Sequence, residues 1–189
     1  MPLAVITPPE VKPVTLTKIK QHLRLDHNED DEYLLGLLDA ATLHVEAVTG
    51  QFLISRTVRQ YVEMIPASRS ICLEAWPVMS VEEVRGFDFD GNPNVFFAGN
   101  YRLDIRIDPP ALILNANINY QAFSNGIEID IIVGYGEIGI DVPSNIIRAI
   151  LVLIAHWYEF RGALPEGDET GLIPEGINAL LAPIKRVRL

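Results

Sequence analysis

The sequence predicts an α+β fold in which N-terminal and C-terminal helices surround an inserted antiparallel β-sheet or small β-barrel. Three observations predict it. Apolar residues recur at spacings of three and four between positions 16 and 49. The pattern changes to short β-prone runs between 51 and 136, and a nearly unbroken apolar run returns from 143 to 161. The 189 residues are read as a single domain: an arm with two helices (1–50), the β insertion (51–136), and a closing part made of a long buried helix, a short helix and an extended tail (137–189). A chain of this length buries roughly 70% of the surface its unfolded form exposes, so it needs no covalent staple.

Residues 1–14 contain Pro2, Pro8, Pro9 and Pro13 and are expected to form an extended arm. A helix follows from Leu16 to Leu25, with Thr15 as its cap and Leu16, Ile19 and Leu23 on one face. Asn28 is the expected N-cap of a longer helix, whose first turn holds the acids Glu29 to Glu32, where the helix dipole favours negative charge. Leu34, Leu38, Ala41, Val45 and Val48 form its apolar stripe, and Gly50 ends it. Strands are expected at Thr57–Val62, Ser70–Leu73, Val81–Phe89, Asn94–Phe97, Tyr101–Ile107, Ala111–Leu114 and Ile127–Val133. Turns at Asp90-Gly91-Asn92-Pro93 and Ala98-Gly99-Asn100 separate some of these runs. Pro143 suits the first position of a helix that runs to Arg161, with Gly162 as its stop and a Gly-, Pro- and acid-rich loop from Ala163 to Gly171. A last helix starts at Pro174, carries Ile177, Leu180 and Leu181, and ends at Pro183, leaving the tail Ile184 to Leu189.

Composition narrows the function. A net charge of −10 argues against a protein that grips nucleic acid by its phosphates, because that affinity comes from Lys and Arg. The acid is concentrated at Asp26, Glu29, Asp30, Asp31 and Glu32, whereas Lys185, Arg186 and Arg188 make the C-terminal end basic. A chain charged in this way can contact its neighbours or a partner end to end. Cys72, the one cysteine, excludes an intrachain disulfide and is expected to be a buried, inert thiol. The opening Met1-Pro2-Leu3-Ala4 lacks the charged region of a signal peptide. The apolar run Ala149–Ala155 falls far short of the about 20 residues a membrane span takes. Both readings point to an intracellular protein without a membrane partner.

No catalytic, metal or cofactor site assembles from the motifs. Gly134-Tyr135-Gly136-Glu137-Ile138-Gly139 fits the dinucleotide-binding glycine pattern, but the helix waits until Pro143 and no second parallel strand follows it. Glycines at a strand-to-helix turn are the preferred reading; a small ligand-binding β-domain built on this loop is the alternative. Asp88-Phe89-Asp90-Gly91-Asn92 has its glycine misplaced for a calcium loop and reads as a hairpin turn. His22, His27, His44 and His156 include no pair at metal-binding helical spacing, and His156 reads as a core histidine.

The order of elements resembles the head–tail connector (adaptor) family of tailed bacteriophages and gene transfer agents. The resemblance rests on Val14-Thr15-Leu16-Thr17-Lys18-Ile19-Lys20-Gln21-His22-Leu23-Arg24-Leu25, on Asn28 to Leu35, and on the helix end Val45-Glu46-Ala47-Val48-Thr49-Gly50-Gln51. A second block is similar as well: Ile129 to Gly136, Val142-Pro143-Ser144-Asn145-Ile146-Ile147-Arg148-Ala149-Ile150-Leu151, and His156-Trp157-Tyr158-Glu159-Phe160-Arg161. Glu137-Ile138 departs from the small residues common there. The resemblance implies a non-enzymatic virion protein, made in the host bacterial cytoplasm and placed at the virion neck. It implies a homo-oligomeric ring, usually twelvefold, under the portal protein. Such a ring extends the DNA channel, lets packaged DNA pass without specific binding, and docks a stopper or tail-terminator protein. A tail-completion protein binding another face is the nearer alternative. Within that frame, Ile184, Val187 and Leu189 are expected to enter portal pockets, with Arg186 and Arg188 pairing acids there. Phe87, Phe89, Phe96 and Phe97 are expected at the tail-side surface.

Overall fold

A computed structural model describes residues 3–119, 122–160, 173–174 and 176–185. The fold is α+β, and the chain divides into two compact units, one formed by 1–10 and 55–135, the other by 11–54 and 136–189.

The first unit is all β. Its five-stranded sheet has the order β1 (Leu3–Thr7), β2 (Arg56–Val62), β8 (Ile127–Val133), β4 (Val78–Phe87), β5 (Pro93–Val95). A three-stranded sheet has the order β3 (Ser70–Cys72), β7 (Ala111–Leu114), β6 (Tyr101–Asp104), and every strand pair in both is antiparallel. The expected arm is thus in part an edge strand: Leu3 to Val5 pair with Gln60 to Val58, and a bulge before Thr7 precedes Pro8 and Pro9, which cannot donate to a ladder. Strands alternate their side chains between faces, so Val58, Gln60 and Val62 point inward with Ile127, Ile129, Ile131 and Val133. Gln60 is the buried polar member of that face. Its amide donates to the Cys72 carbonyl at 2.8 Å and its carbonyl accepts from the Glu74 amide at 2.9 Å, so both ends are satisfied and the two sheets are tied together.

The same alternation corrects the expectation for Cys72. Ile71 and Leu73 are buried, and Cys72 between them is exposed.

The second unit is helical. α1 (Leu16–Leu23) is capped by the Thr15 hydroxyl, which accepts from the Lys18 amide at 3.3 Å, and it ends two residues before the expected Leu25 because Arg24 turns left-handed at φ 57°. α2 (Asp31–Thr49) starts later than expected. Asp30, not Asn28, gives its carbonyl to the first helical bond (Leu34 amide, 2.9 Å), while the Asn28 side chain is taken by the Lys20 ammonium. Gly50 ends α2 at φ 70°, its amide donating to the Glu46 carbonyl at 2.9 Å. α3 (Ser144–Phe160) begins one residue after Pro143, whose carbonyl accepts from the Ile146 and Ile147 amides. The expected stop at Arg161–Gly162 and the loop Ala163–Gly171 lie outside the described residues. α4 (Gly176–Leu181) follows.

Burial follows the helical stripes read from the sequence. Ile19 of α1, Leu34, Leu38, Ala41 and Val45 of α2, Ile146, Ile150, Leu153 and Ile154 of α3, and Ile177 and Leu181 of α4 are all buried. α3 packs against α1, α2 and α4, which explains why it is apolar nearly all round. Each fully buried aliphatic side chain contributes on the order of 2 kcal/mol of transfer free energy, so this core is the main source of the unit's stability. No helix of the described residues is long and apolar enough to cross a membrane.

Candidate interaction surfaces

The polar face of the five-stranded sheet carries an ion ladder across three strands. Registers Arg59↔Asp130 and Arg85↔Glu128 set the cations and acids of β2, β8 and β4 side by side. The Asp130 carboxylate accepts from Arg59 Nε at 2.6 Å, Arg59 Nη2 at 2.8 Å and Arg85 Nη2 at 2.5 Å. Glu128 lies 3.3 Å from Arg59 and 3.8 Å from Arg85. The hydrogen bond to Asp130 is the main reason the Arg59 guanidinium is held even more firmly protonated than usual. The arginines leave no spare charge, since three acids (Glu83, Glu128, Asp130) surround two cations. This face does not offer a phosphate site. The sequence reading passed over the ladder, although the alternation Ile127-Glu128-Ile129-Asp130-Ile131 announces a strand with one charged face.

The hairpin between β4 and β5 is locked by its own side chains. Asp88 accepts from the Asp90 amide at 3.0 Å and the Asn92 amide at 2.8 Å, and these bonds, chiefly those from Asn92, hold its carboxyl below the usual range. Asn125 donates to the Asp88 and Phe89 carbonyls. The Asp88 carboxylate is thus engaged within the turn, as in a hairpin turn. The four aromatic residues expected at this tip separate. Phe89 and Phe97 are 83% and 80% exposed; Phe96 is 7% exposed and its ring meets that of Phe123 with centroids 4.9 Å apart; Phe87 is half-buried.

In the helical unit the acidic stretch is partly consumed. Asp30 accepts from the Tyr158 hydroxyl at 2.5 Å and Asp31 pairs with Lys20 at 2.9 Å, leaving Asp26, Glu29 and Glu32 exposed. Ile184 is half-buried and its carbonyl accepts from the Gln51 amide, so the chain is anchored there. Arg186, Val187, Arg188 and Leu189 lie outside the described residues. His156 rests edge-tilted on Phe160, with centroids 4.7 Å apart.

The glycine pattern at 134–139 serves tight packing. A Cβ on Gly136 would overlap the Asp141 carboxylate, and one on Gly139 would overlap the Pro13 carbonyl. Asp141 in turn caps the short turn Gly139–Asp141 by accepting from the Ile138 amide at 3.3 Å.

Comparison with known proteins agrees with this architecture. Residues 13–75 match the family described as phage gp6-like head-tail connector protein. A chain from the virion of a native gene transfer agent particle matches with a TM-score of 0.80 and 26% identity. A chain from the neck of an empty gene transfer agent particle, computed with C6 symmetry, gives 0.78 and 26%. One from the neck of the native particle, computed with C12 symmetry, gives 0.78 and 25%. Each comparison covers 100% of this chain and 97% of the other. Over residues 13–75 the chain is similar to phage head-tail connector proteins, and over its whole length its fold is similar to chains of gene transfer agent particles. No curated protein sequence matches it. Both the β and the helical unit are part of the shared fold, and the likeness supports a structural role in a particle neck.

Proposed function

We propose that this chain works in the virion neck as one copy of a ring under the portal, where it prolongs the DNA channel and receives the next neck or tail protein. The observation that carries this reading is the full-length likeness to chains of gene transfer agent necks computed with C6 and C12 symmetry. Chemistry supports it. A net charge of −10 repels packaged DNA, so the nucleic acid slides along the ring instead of binding to it. Phe89 stands free at a turn held by Asp88 and Asn125, and Phe97 stands free just before the turn Ala98–Asn100; exposed aromatic rings on ordered backbone are the kind that anchor a protein interface, and the tail-side partner docks on them. The basic, apolar end from Ile184 to Leu189 meets the portal, with Arg186 and Arg188 facing its acids. Because Gln51 already holds Ile184, the test of that end is removal of residues 186–189, which spares the anchor.

Negative-stain microscopy of the chain mixed with the portal protein of the same genome tests the reading. An added ring at the narrow end of the portal is expected. Absence of any association would overturn it in favour of a tail-completion role, in which the chain binds a tail protein and not the portal.

A further inference from the structure

Most cations of this acidic chain are held by its own carboxylates. Lys12, Lys20, Arg59, Arg85, Arg102 and Arg106 each lie in an ion pair. Lys18 and Arg148 do not. Both are exposed, and among the described residues neither has a carboxylate within ion-pair distance. They stand on one flank of the helical unit. Lys18 and His22 are four residues apart on α1 and so share a face. The half-buried His22 imidazole is pushed below its ordinary pKa by that burial first and by the Arg148 charge second, so the guanidinium of α3 lies close to the same face.

The other flank of α1 has the opposite charge. Lys20 is two residues from both Lys18 and His22, about 200° around the helix. Its ammonium reaches Asn28 at 2.5 Å and Asp31 at 2.9 Å. The N-terminal end of α2 therefore lies on the side of α1 away from Lys18 and His22. Asp26, Glu29 and Glu32 are exposed there and enter no ion pair among the described residues. Lys20 and Arg24 do not neutralise this end, because two cations stand against the five acids Asp26, Glu29, Asp30, Asp31 and Glu32. One compact unit thus shows unpaired positive charge on one flank and unpaired negative charge on the other.

We infer that the two flanks are the halves of one contact between copies of this chain, with Lys18 and Arg148 of one copy facing Asp26, Glu29 and Glu32 of the next. The occupant follows from charge. Copies with a net charge of −10 repel one another in most orientations, and the approach that sets the free cations against the free acids is the one that electrostatics favours. The two patches differ, so the contact is head-to-tail, and such contacts between identical chains close into rings when the rotation fits. The inference rests on the ring reading proposed above and assigns the charges that orient neighbouring copies. Exposed pairs add little affinity; they select the orientation and speed the encounter. A DNA phosphate is the poorer occupant, because two cations on an acidic chain supply little of the counterion release that DNA affinity needs.

Lys18→Glu with Arg148→Glu, and separately Glu29→Lys with Glu32→Lys, are made in the full-length chain and mixed with the portal protein. Portals bearing a ring are then counted by negative-stain microscopy. Each double variant alone sets like charge against like and should lower the count about tenfold. An equimolar mixture of the two should restore rings, because alternating copies place opposite charges at every contact. A misfolded chain cannot be rescued in this way, and thermal melting close to that of wild type is expected for each variant. Should a reversal impair folding, Lys18→Gln with Arg148→Gln takes its place. Its ring count should not change with salt, whereas the wild-type count should fall between about 0.1 M and 1 M, as the screening length shrinks from about 10 to 3 Å. Normal rings from either reversed variant, or no rescue from a mixture of two folded variants, would overturn the contact and leave the ring reading standing. Normal rings with altered DNA binding would assign the cations to phosphates instead. Failure of the wild-type chain to form any ring on the portal would overturn both readings.

Discussion

The two compact units reach stability by different physics. In the helical unit, the four described helices bury continuous aliphatic stripes, and an ion pair such as Lys20–Asp31 lies outside that core. In the β unit, the central strand β8 buries isoleucines on one face and a charged cluster on the other, with Asp130 almost as buried as its apolar neighbours. An aliphatic core tolerates rearrangement and loses energy in proportion to the volume removed. A buried carboxylate held by two arginines is all-or-none, because removing one partner strands the others. The helical unit is therefore robust and locally specified, whereas the β unit depends on register.

The contrast can be broken by mutation, starting with the largest effect. Ile150→Ala leaves a cavity among fully buried side chains and should cost about 2–5 kcal/mol, read from urea unfolding. Asp130→Ala should cost about 2–3 kcal/mol in the same assay, discounted for the partial exposure of Arg59 and Arg85. The double change Arg59→Met with Asp130→Leu should recover much of that loss; no recovery would mean that register, not charge, was lost. Gln60→Ala strands the Cys72 carbonyl and Glu74 amide and should cost about 1–2 kcal/mol, with faster amide exchange at Glu74.

A pH effect comes next. Hydrogen bonds from the Arg106 side chain and amide, with Arg102 nearby, hold the Asp104 carboxyl well below the ordinary carboxylate range. A depressed folded-state pKa gives stability that is present above the unfolded value of about 3.9 and is lost as pH falls through the folded one. The melting-temperature gap between wild type and Asp104→Asn should therefore be constant from pH 7 to 5 and narrow below about pH 4. A gap that widened toward acid would reverse the sign and refute the assignment. The smallest stability effect belongs to the pair Phe89→Ser and Phe97→Ser, within about 0.5 kcal/mol because both rings are exposed; its expected consequence is loss of tail joining in a particle assembly assay. Phe96→Ser would confuse that test, since its ring is packed against Phe123.

Most helix and strand positions were legible because they follow from local rules. Leu34, Leu38, Ala41 and Val45 lie inward because a helix repeats every 3.6 residues, and Gly50 ends α2 because it adopts positive φ without strain. Expected strands coincide with β2, β3, β7 and β8 to within a residue. Local rules also assigned the glycines of 134–139 to a turn. Other features required the folded chain. Which strand neighbours which is a nonlocal choice: β8 lies between β2 and β4 although 39 residues separate it from β4 and 64 from β2, and residues 3–7 complete the sheet edge. Cys72 was misjudged because its exposure depends on which face β3 turns inward, a matter of pairing with β7. Sequence alone determined the α+β class, the helical stripes and the likeness to connectors, because periodicity and motif order are properties of the chain itself. Tertiary structure alone decided the Arg59–Asp130–Arg85 ladder and the burial of Phe96 against the exposure of Phe89, because each depends on contacts between residues that the sequence keeps far apart.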